Sequence, residues 1–236
     1  MQRRFSYALT AGILFSGAPA NLSLGVARPL LFALFGYVLG RQADELSELS
    51  ETDALTSLLN ARGFAARLRS EIKRSKRYRE PLSLLFLDLD GLKAINDRYG
   101  HRAGSEALRG VAGVIRAELR ESDTGARWGG DEFTIIAPKT TKAAAVLFAD
   151  RIRTRIAQYT AEWPMTVSIG IATVDWNEDG VKADAQTLIR DADAAMYRAK
   201  RHGKNTIVAA GVSGIDNRRS EDHEEQRSSP DLLISC

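Results

Sequence analysis

Four carboxylates in two short runs are the residues of this chain best suited to do chemistry. Asp131 and Glu132 stand side by side directly after Arg127-Trp128-Gly129-Gly130. A Gly-Gly pair between β-prone runs predicts a two-residue hairpin turn at Gly129-Gly130, because both turn positions need positive φ. Such a turn carries Asp131 and Glu132 at its tip and lets a ligand approach bare backbone. Adjacent carboxylates there suit a hard cation such as Mg²⁺ and a phosphate ester held by it. Asp88 and Asp90 end the apolar run that starts at Leu82. Strand alternation puts both on one face and Leu89 on the other. Taken singly, the first pair reads equally well as a solvated acidic turn and the second as a strand-end cap. Taken together, three or four carboxylates converging from hairpin-related strands have the geometry of a two-metal nucleotidyl-transfer site.

The elements that must position these groups follow from periodicity. Phe64, Leu68 and Ile72 mark a helix that runs into the basic stretch Lys73 to Arg79 and stops at Pro81. Leu82 to Leu89 is a strand. Leu108, Val111, Ile115 and Leu119 form a helix face, and Leu147, Phe148, Ile152 and Ile156 form another. Met165 to Thr173 reads as a strand, Leu188 to Lys200 as a helix and Asn205 to Ala209 as a last strand. Strands separated by helices, with one hairpin among them, predict an α+β fold: a mixed central β-sheet flanked by helices.

The totals fit that fold. The chain has 236 residues, 44% hydrophobic and 27% charged, which suits one globular domain with extra segments. Its net charge of +3 is small and spread along the chain, with no aromatic-interleaved basic patch, so nucleic acid is not an expected partner. Cys236 is the only cysteine, which excludes a disulfide framework and a cysteine metal site.

The N-terminus differs from the rest. Residues 5–27 carry no charge and follow Arg3 and Arg4; a second uncharged run, 29–40, lies between Arg28 and Arg41. The first run is long enough to cross a bilayer, which takes about 20 apolar residues. The second would be about 18 Å long as helix, too short to cross alone. A membrane hairpin turning near Pro19-Ala20-Asn21 keeps both charged ends on the cytoplasmic side. A cleaved signal peptide at Ala18-Pro19-Ala20 and a core or interfacial helix pair are the other readings. Arg28 counts against the hairpin, since a buried unpaired arginine is costly. The expected organisation is an apolar helical membrane segment at 1–40, a helical linker at 41–57, a catalytic domain at 58–211 and a polar, disordered tail at 212–236.

With these elements in place, the chain resembles the GGDEF domains of diguanylate cyclases over about residues 52–209. The resemblance is carried by Asp53-Ala54-Leu55-Thr56-Ser57-Leu58, by Asp88-Leu89-Asp90-Gly91-Leu92-Lys93-Ala94-Ile95-Asn96-Asp97, and by Gly100-His101-Arg102-Ala103-Gly104. It continues through Gly129-Gly130-Asp131-Glu132-Phe133, Val167-Ser168-Ile169-Gly170-Ile171-Ala172 and Ala192-Asp193-Ala194-Ala195-Met196-Tyr197-Arg198-Ala199-Lys200, in family order and spacing.

The resemblance implies that two subunits meet face to face, each holding one nucleoside triphosphate, and close a cyclic dinucleotide with release of pyrophosphate. It implies that Asp88 and Glu132 bind Mg²⁺ (Mn²⁺ being the alternative), helped by the Leu89 carbonyl. Asp131 sits at the metals and helps deprotonate the attacking 3′-hydroxyl; Asp88, Asp131 and Glu132 are thus the implied catalytic residues. The backbones of Gly91, Leu92 and Lys93 would hold phosphates at a helix N-terminus. Gly129 and Gly130 would admit substrate, and Lys200 and Lys204 would neutralise the terminal phosphates. Lysine at 204 replaces a common arginine and loses its bidentate fork. Leu92 stands where phenylalanine is common, a packing change. His101 belongs to the pocket wall, with no catalytic role assigned.

Two positions refine the expectation. The family reads guanine with an asparagine and an aspartate. Asn96 is present, but Ser105 stands at the second position. A hydroxyl both donates and accepts, so it need not reject adenine. Losing a charge-assisted acceptor costs about 1.5–3 kcal/mol of guanine preference. The resemblance to the hybrid promiscuous subgroup therefore implies GTP and ATP as substrates, with cyclic di-GMP and 3′,3′-cyclic GMP–AMP as products. Arg120 and Asp123 match the family's inhibitory product site, with Arg151 as its secondary arginine; a helix-end ion pair is the plain alternative. The implied protein is a homodimer at the bacterial inner membrane, its catalytic domain cytoplasmic. The rival is an inactive receptor that binds a cyclic dinucleotide through Arg120 and Asp123.

Overall fold

In the computed structural model, residues 29–38, 41, 50–160, 165–177 and 183–211 are described. The chain divides into two compact units, Met1–Ser50 and Glu51–Cys236. In the first, residues 29–38 are helical and exposed, and Leu31, Phe32, Leu34, Phe35 and Val38 line an apolar groove. No helix among the described residues is long and apolar enough to cross a membrane. The expected first crossing at 5–27, the turn near Pro19, the tail at 212–236 and nearly all of 41–49 lie outside the described residues.

The second unit is a five-stranded mixed sheet with two helices on each face. Its strands are β1 (Leu82–Asp90), β2 (Thr124–Gly129), β3 (Glu132–Pro138), β4 (Thr166–Val174) and β5 (Ile207–Gly211). Its helices are α1 (Ala61–Tyr78), α2 (Leu92–Glu118), α3 (Lys142–Tyr159) and α4 (Ala185–Arg201). The strand order is β2-β3-β1-β4-β5, with only the β4–β5 pair parallel. The expected mixed sheet flanked by helices is the fold observed.

Alternation along β1 divides the core. Leu85, Leu87 and Leu89 pack with α2 and α3, through Ile95, Val111, Ile115, Ala149 and Ile152. Leu82, Leu84 and Phe86 pack with α1 and α4, through Phe64, Leu68, Leu188 and Met196. Every residue of β1 is buried, so the strand is held from both faces. Asp88 and Asp90 share the face of Leu84 and Phe86, as alternation predicts.

Four details depart from the sequence reading. Residues 50–57 are no helix but a turn closed by a Thr52–Leu59 bridge. Asp53 explains it: its carboxylate accepts from the Thr56 amide at 2.8 Å and the Thr56 hydroxyl at 2.7 Å, a local bond that competes with helix. The hairpin turn falls at Gly130-Asp131 instead of Gly129-Gly130, and Gly129 pairs with Glu132. A bulge between Arg127 and Gly129 uses the extra residue, keeping Trp128 edge-on to Phe64 and Phe86. Only Gly130 of the two glycines has positive φ, +47°. Leu147 is 73% exposed and so lies off the helix face expected of it, whereas Leu119, the extended residue that caps α2, still packs against the core of Leu108, Val111 and Ile115.

Candidate functional site

The end of β1 and the turn between β2 and β3 meet because these strands are neighbours. Asp88 pairs across the sheet with Glu132 on one side and Ser168 on the other. Directly opposite side chains in an antiparallel pair sit about 5 Å apart at Cβ, so these carboxylates are immediate neighbours. The Asp131 carbonyl accepts from the Leu89 amide at 3.2 Å, which ties the turn to β1. Lys200, in the last turn of α4, places its ammonium 2.6 Å from Asp88 Oδ2.

The electrostatics of this pair are unfavourable. Burial pushes Asp88 above the ordinary carboxylate pKa, with Asp131 and Asp90 adding to it, despite the hydrogen bond and charge of Lys200. Burial likewise raises Glu132, reinforced by Asp88, Asp131 and Asp193. Asp88 is 5% exposed, and its Oδ1 is buried without a hydrogen-bond partner. An orphaned carboxylate oxygen beside a second carboxylate is what a hard divalent cation would satisfy. Asp88, Glu132 and the Leu89 carbonyl are therefore a fitting donor set.

The fourth carboxylate does not join them. Asp90 Oδ2 accepts from Thr166 Oγ1 at 3.0 Å and from the Asn205 amide at 3.2 Å, and Ser168 Oγ lies 3.0 Å from both its oxygens. Among the described residues no three His, Cys, Asp or Glu side chains gather as a metal cluster. Of the four expected carboxylates, Asp90 is thus taken up by hydroxyl and amide donors, while Asp131 lies close enough to act on both Asp88 and Glu132.

Beside the pair lies a cleft of about 500 Å³. It is bordered by Leu92, Lys93, Asn96, Asp97, His101, Gly104, Ser105 and Leu108 of α2, by Arg127, Gly130 and Asp131 of the hairpin, and by Leu55. Two glycines of α2 shape it. Gly100 (φ 82°, ψ 162°) breaks the helical path and kinks the element. Gly104 lies so close to Asn96 that a Cβ there would sit 2.0 Å from Asn96 Oδ1. The kink and the bare glycine thus bring Asn96 and Ser105 to one wall, where two polar side chains meet apolar Leu92 and Leu108. At the other end Gly91, φ 95°, starts α2 with no side-chain cap, leaving first-turn amides to an anion.

The hairpin is braced from behind. Arg127 donates from Nε and Nη2 to the Gly130 carbonyl at 3.0 and 2.7 Å, and from Nη1 to Asp53 Oδ2 at 3.2 Å. Burial works to raise the Asp53 pKa, but the Thr56 hydrogen bonds, with Arg127 alongside, hold it below its ordinary value.

The remaining expected residues are spread more widely. Lys204 is exposed, in the loop after α4. Asp123 accepts from the Arg120 amide at 2.9 Å, closing a turn before β2. Arg151 pairs with Glu118, which also accepts from Arg155 Nε at 3.1 Å. Glu118, Arg127, Leu55 and Leu108 carried no site role in the sequence reading. Arg127 adjoins the hairpin run, but no spacing marks an arginine as a turn brace.

The family profile described as "Diguanylate cyclase, GGDEF domain" matches residues 50–206. The chain belongs to the GGDEF-domain family. It is 34% identical over 197 residues to the response regulator PleD of Caulobacter vibrioides, a match covering 80% of this chain and 42% of that protein. It is 35% identical over 172 residues to diguanylate cyclase DgcM of Escherichia coli K12, covering 72% of this chain and 41% of that one. The chain thus spans about two-fifths of the length of these relatives. Among solved structures, the GGDEF domain of DgcB from Caulobacter crescentus in complex with c-di-GMP is 29% identical with a TM-score of 0.60. That match covers 68% of this chain and 95% of that one. A microbial GGDEF domain studied for its interaction with cyclic di-GMP is 38% identical with a TM-score of 0.60, covering 68% and 99%.

Proposed function

We propose that this GGDEF protein is a Mg²⁺-dependent dinucleotide cyclase. It joins two GTP into cyclic di-GMP and, through Ser105, GTP and ATP into 3′,3′-cyclic GMP–AMP. The observation that carries the reading is the cleft that holds Asn96, Ser105 and Asp131, next to the buried, unpartnered Asp88 oxygen. The DgcM name and the cyclic di-GMP complex of DgcB support it.

Asp88 and Glu132 would hold Mg²⁺ (or Mn²⁺) with the Leu89 carbonyl. Once bound, that ion supplies charge to screen the phosphates and to acidify the attacking hydroxyl. The chain's own groups do the rest. Asn96 and Ser105 hold the base, and the uncapped start of α2 at Gly91, Leu92 and Lys93 takes phosphate. Lys200 and Lys204 face the terminal phosphates. Asp131, which borders the cleft, would receive the 3′-hydroxyl proton. The 3′-oxygen bonds to the α-phosphorus of the nucleotide on the partner subunit, and the bond to pyrophosphate breaks. Repeating the step in reverse sense closes the ring, so a homodimer is required.

Product inhibition belongs to the same reading, through Arg120, Asp123 and Arg151. Product would have to compete with Glu118 for the Arg151 guanidinium. Residues 1–40 would tether the protein to the bacterial inner membrane with the cyclase on the cytoplasmic side.

The test is mass analysis of products from the purified dimer with equimolar GTP and ATP and with Mg²⁺. Both cyclic dinucleotides are expected, and Ser105→Asp should shift the mixture about tenfold toward cyclic di-GMP. Absence of any cyclic product would overturn the enzyme; cyclic di-GMP alone would overturn the mixed specificity.

A further inference from the structure

We infer that Asp90 is a positioning residue: it holds the loop carrying Lys204 at the phosphate end of the site, acting through the Asn205 backbone. The inference deepens the cyclase reading and rests on it.

Asp90 is 7% exposed, and every bond it makes points away from a metal role. Two of its donors are the hydroxyls of Thr166 and Ser168 on β4, and the third is the Asn205 amide, 3.2 Å away. That amide lies in an unusual stretch of backbone. Gly203, Lys204 and Asn205 have φ of 107°, 67° and 47°, three left-handed residues in a row. Glycine adopts this region freely and asparagine tolerates it, but lysine does so at a cost. Such backbone persists only where its surroundings fix it.

The fixing contacts are visible on each side. The Lys204 amide donates to the Ala199 carbonyl at 3.3 Å, folding the loop back on the end of α4. The Asn205 amide is held by Asp90. Asn205 Oδ1 accepts from Arg153 Nη1 at 3.2 Å. Arg153 is itself 6% exposed and locked to Asp150 Oδ1 at 2.7 and 3.1 Å. The next residue, Thr206, gives its carbonyl to the Ile169 amide at 3.0 Å and leads into β5. A chain of hydrogen bonds from α3 through the half-buried Asn205 to the end of β1 therefore fixes the backbone next to the exposed Lys204.

The arrangement has a simple logic. Asp88 and Asp90 lie on one face of β1, and Lys200 and Lys204 lie in and just beyond the last turn of α4. Asp88 meets Lys200 directly, at 2.6 Å. Asp90 reaches Lys204 only through backbone. The strand end thus sets the placement of both cations, one by charge pairing and one by loop geometry.

A double-mutant cycle on the full chain tests this, with kinetics in GTP and Mg²⁺ and amide exchange at 203–206. Asp90→Asn keeps hydroxyl partners but loses an acceptor. It should speed exchange at the Asn205 amide and raise KM about tenfold, with kcat changed less than about threefold. In a Lys204→Ala background the same substitution should add less than about twofold to KM, because the two act on one contact. Asn205→Gly keeps the backbone amide and the left-handed geometry but removes the Arg153 bond. It should raise KM about threefold, again absorbed by Lys204→Ala, and it decides the matter if Asp90→Asn does not fold. An Asp90 effect that is undiminished without the Lys204 side chain, or that falls on kcat alone, would overturn the inference while leaving the cyclase intact. A wild-type chain that binds no nucleotide and forms no product would remove the cyclase reading itself, and this inference with it.

Discussion

The end of β1 and the turn around Asp53 flank the same hairpin and treat their carboxylates in opposite ways. Asp88 and Glu132 are pushed above the ordinary carboxylate pKa, and Asp88 keeps one oxygen buried without a partner. Asp53 is held below its ordinary value, its carboxylate taken up by Thr56 and Arg127. Asp90, two residues from Asp88 on one strand face, belongs with Asp53: its oxygens are satisfied. The lesson is that hydrogen-bond satisfaction separates a carboxylate that builds structure from one that is kept for a ligand. Arg127 joins the two regions, since it grips both Asp53 and the Gly130 carbonyl.

The largest expected effect breaks the unfavourable side. Asp88→Asn or Glu132→Gln should cut product formation about 10³-fold or more, since each removes a ligand for the ion that screens the transferring phosphate. Stability should move the other way. A folded-state pKa raised above the unfolded value means the native state binds more protons in that window. Stability then falls as pH rises from the unfolded pKa through the folded one. Above it, without metal, the neutral variants should melt no lower than wild type. Thermal melts in chelator across acid and neutral pH check this, and a clear loss of stability would contradict the assignment.

Next is the cleft wall that the Asp88 region serves. Gly104→Ala would drive a Cβ to 2.0 Å from Asn96 Oδ1. It should displace Asn96 and raise KM for GTP about tenfold, with a stability loss of about 1–3 kcal/mol. Steady-state kinetics beside a melting curve would show both, and an unchanged KM would remove Asn96 from the base contact.

The smallest effect probes the satisfied side. Asp53→Asn should lower stability by about 1 kcal/mol at neutral pH. The sign is opposite to that of Asp88: a depressed folded pKa gives stability that is present above the unfolded pKa and lost as pH falls through the folded one. The wild-type advantage over Asp53→Asn should therefore vanish in acid. Denaturant titrations of both proteins at neutral and acid pH measure it.

Much of this was legible in the sequence, and the limits have physical causes. The helices α1 and α4 were plain because each packs one apolar stripe against a sheet face, and β1 and β4 because strands buried on both faces read as near-continuous apolar runs. The carboxylate runs were plain because adjacent acids at a strand end and a hairpin tip are unusual. The turn was misplaced by one residue because the bulge at Trp128 is set by aromatic packing with Phe64 and Phe86, which no local pattern reports. The helical reading of 50–57 failed because an Asp53 side chain outcompeted the helix. Leu147 was misjudged because a single apolar residue beside a helical stripe looks like part of it. Asp90 could not be separated from Asp88, since their difference lies in Thr166, Ser168 and Asn205, more than 70 residues away along the chain.

The most direct measurement is a Mn²⁺ titration followed by electron paramagnetic resonance, in the presence of a non-hydrolysable GTP analogue, on wild type, Asp88→Asn and Asp90→Asn. Wild type should take up the ion, Asp88→Asn should lose at least about tenfold in affinity, and Asp90→Asn should bind it nearly as wild type does. Equal binding by wild type and Asp88→Asn, or loss in Asp90→Asn alone, would contradict the assignment of the unpartnered oxygen to a divalent cation.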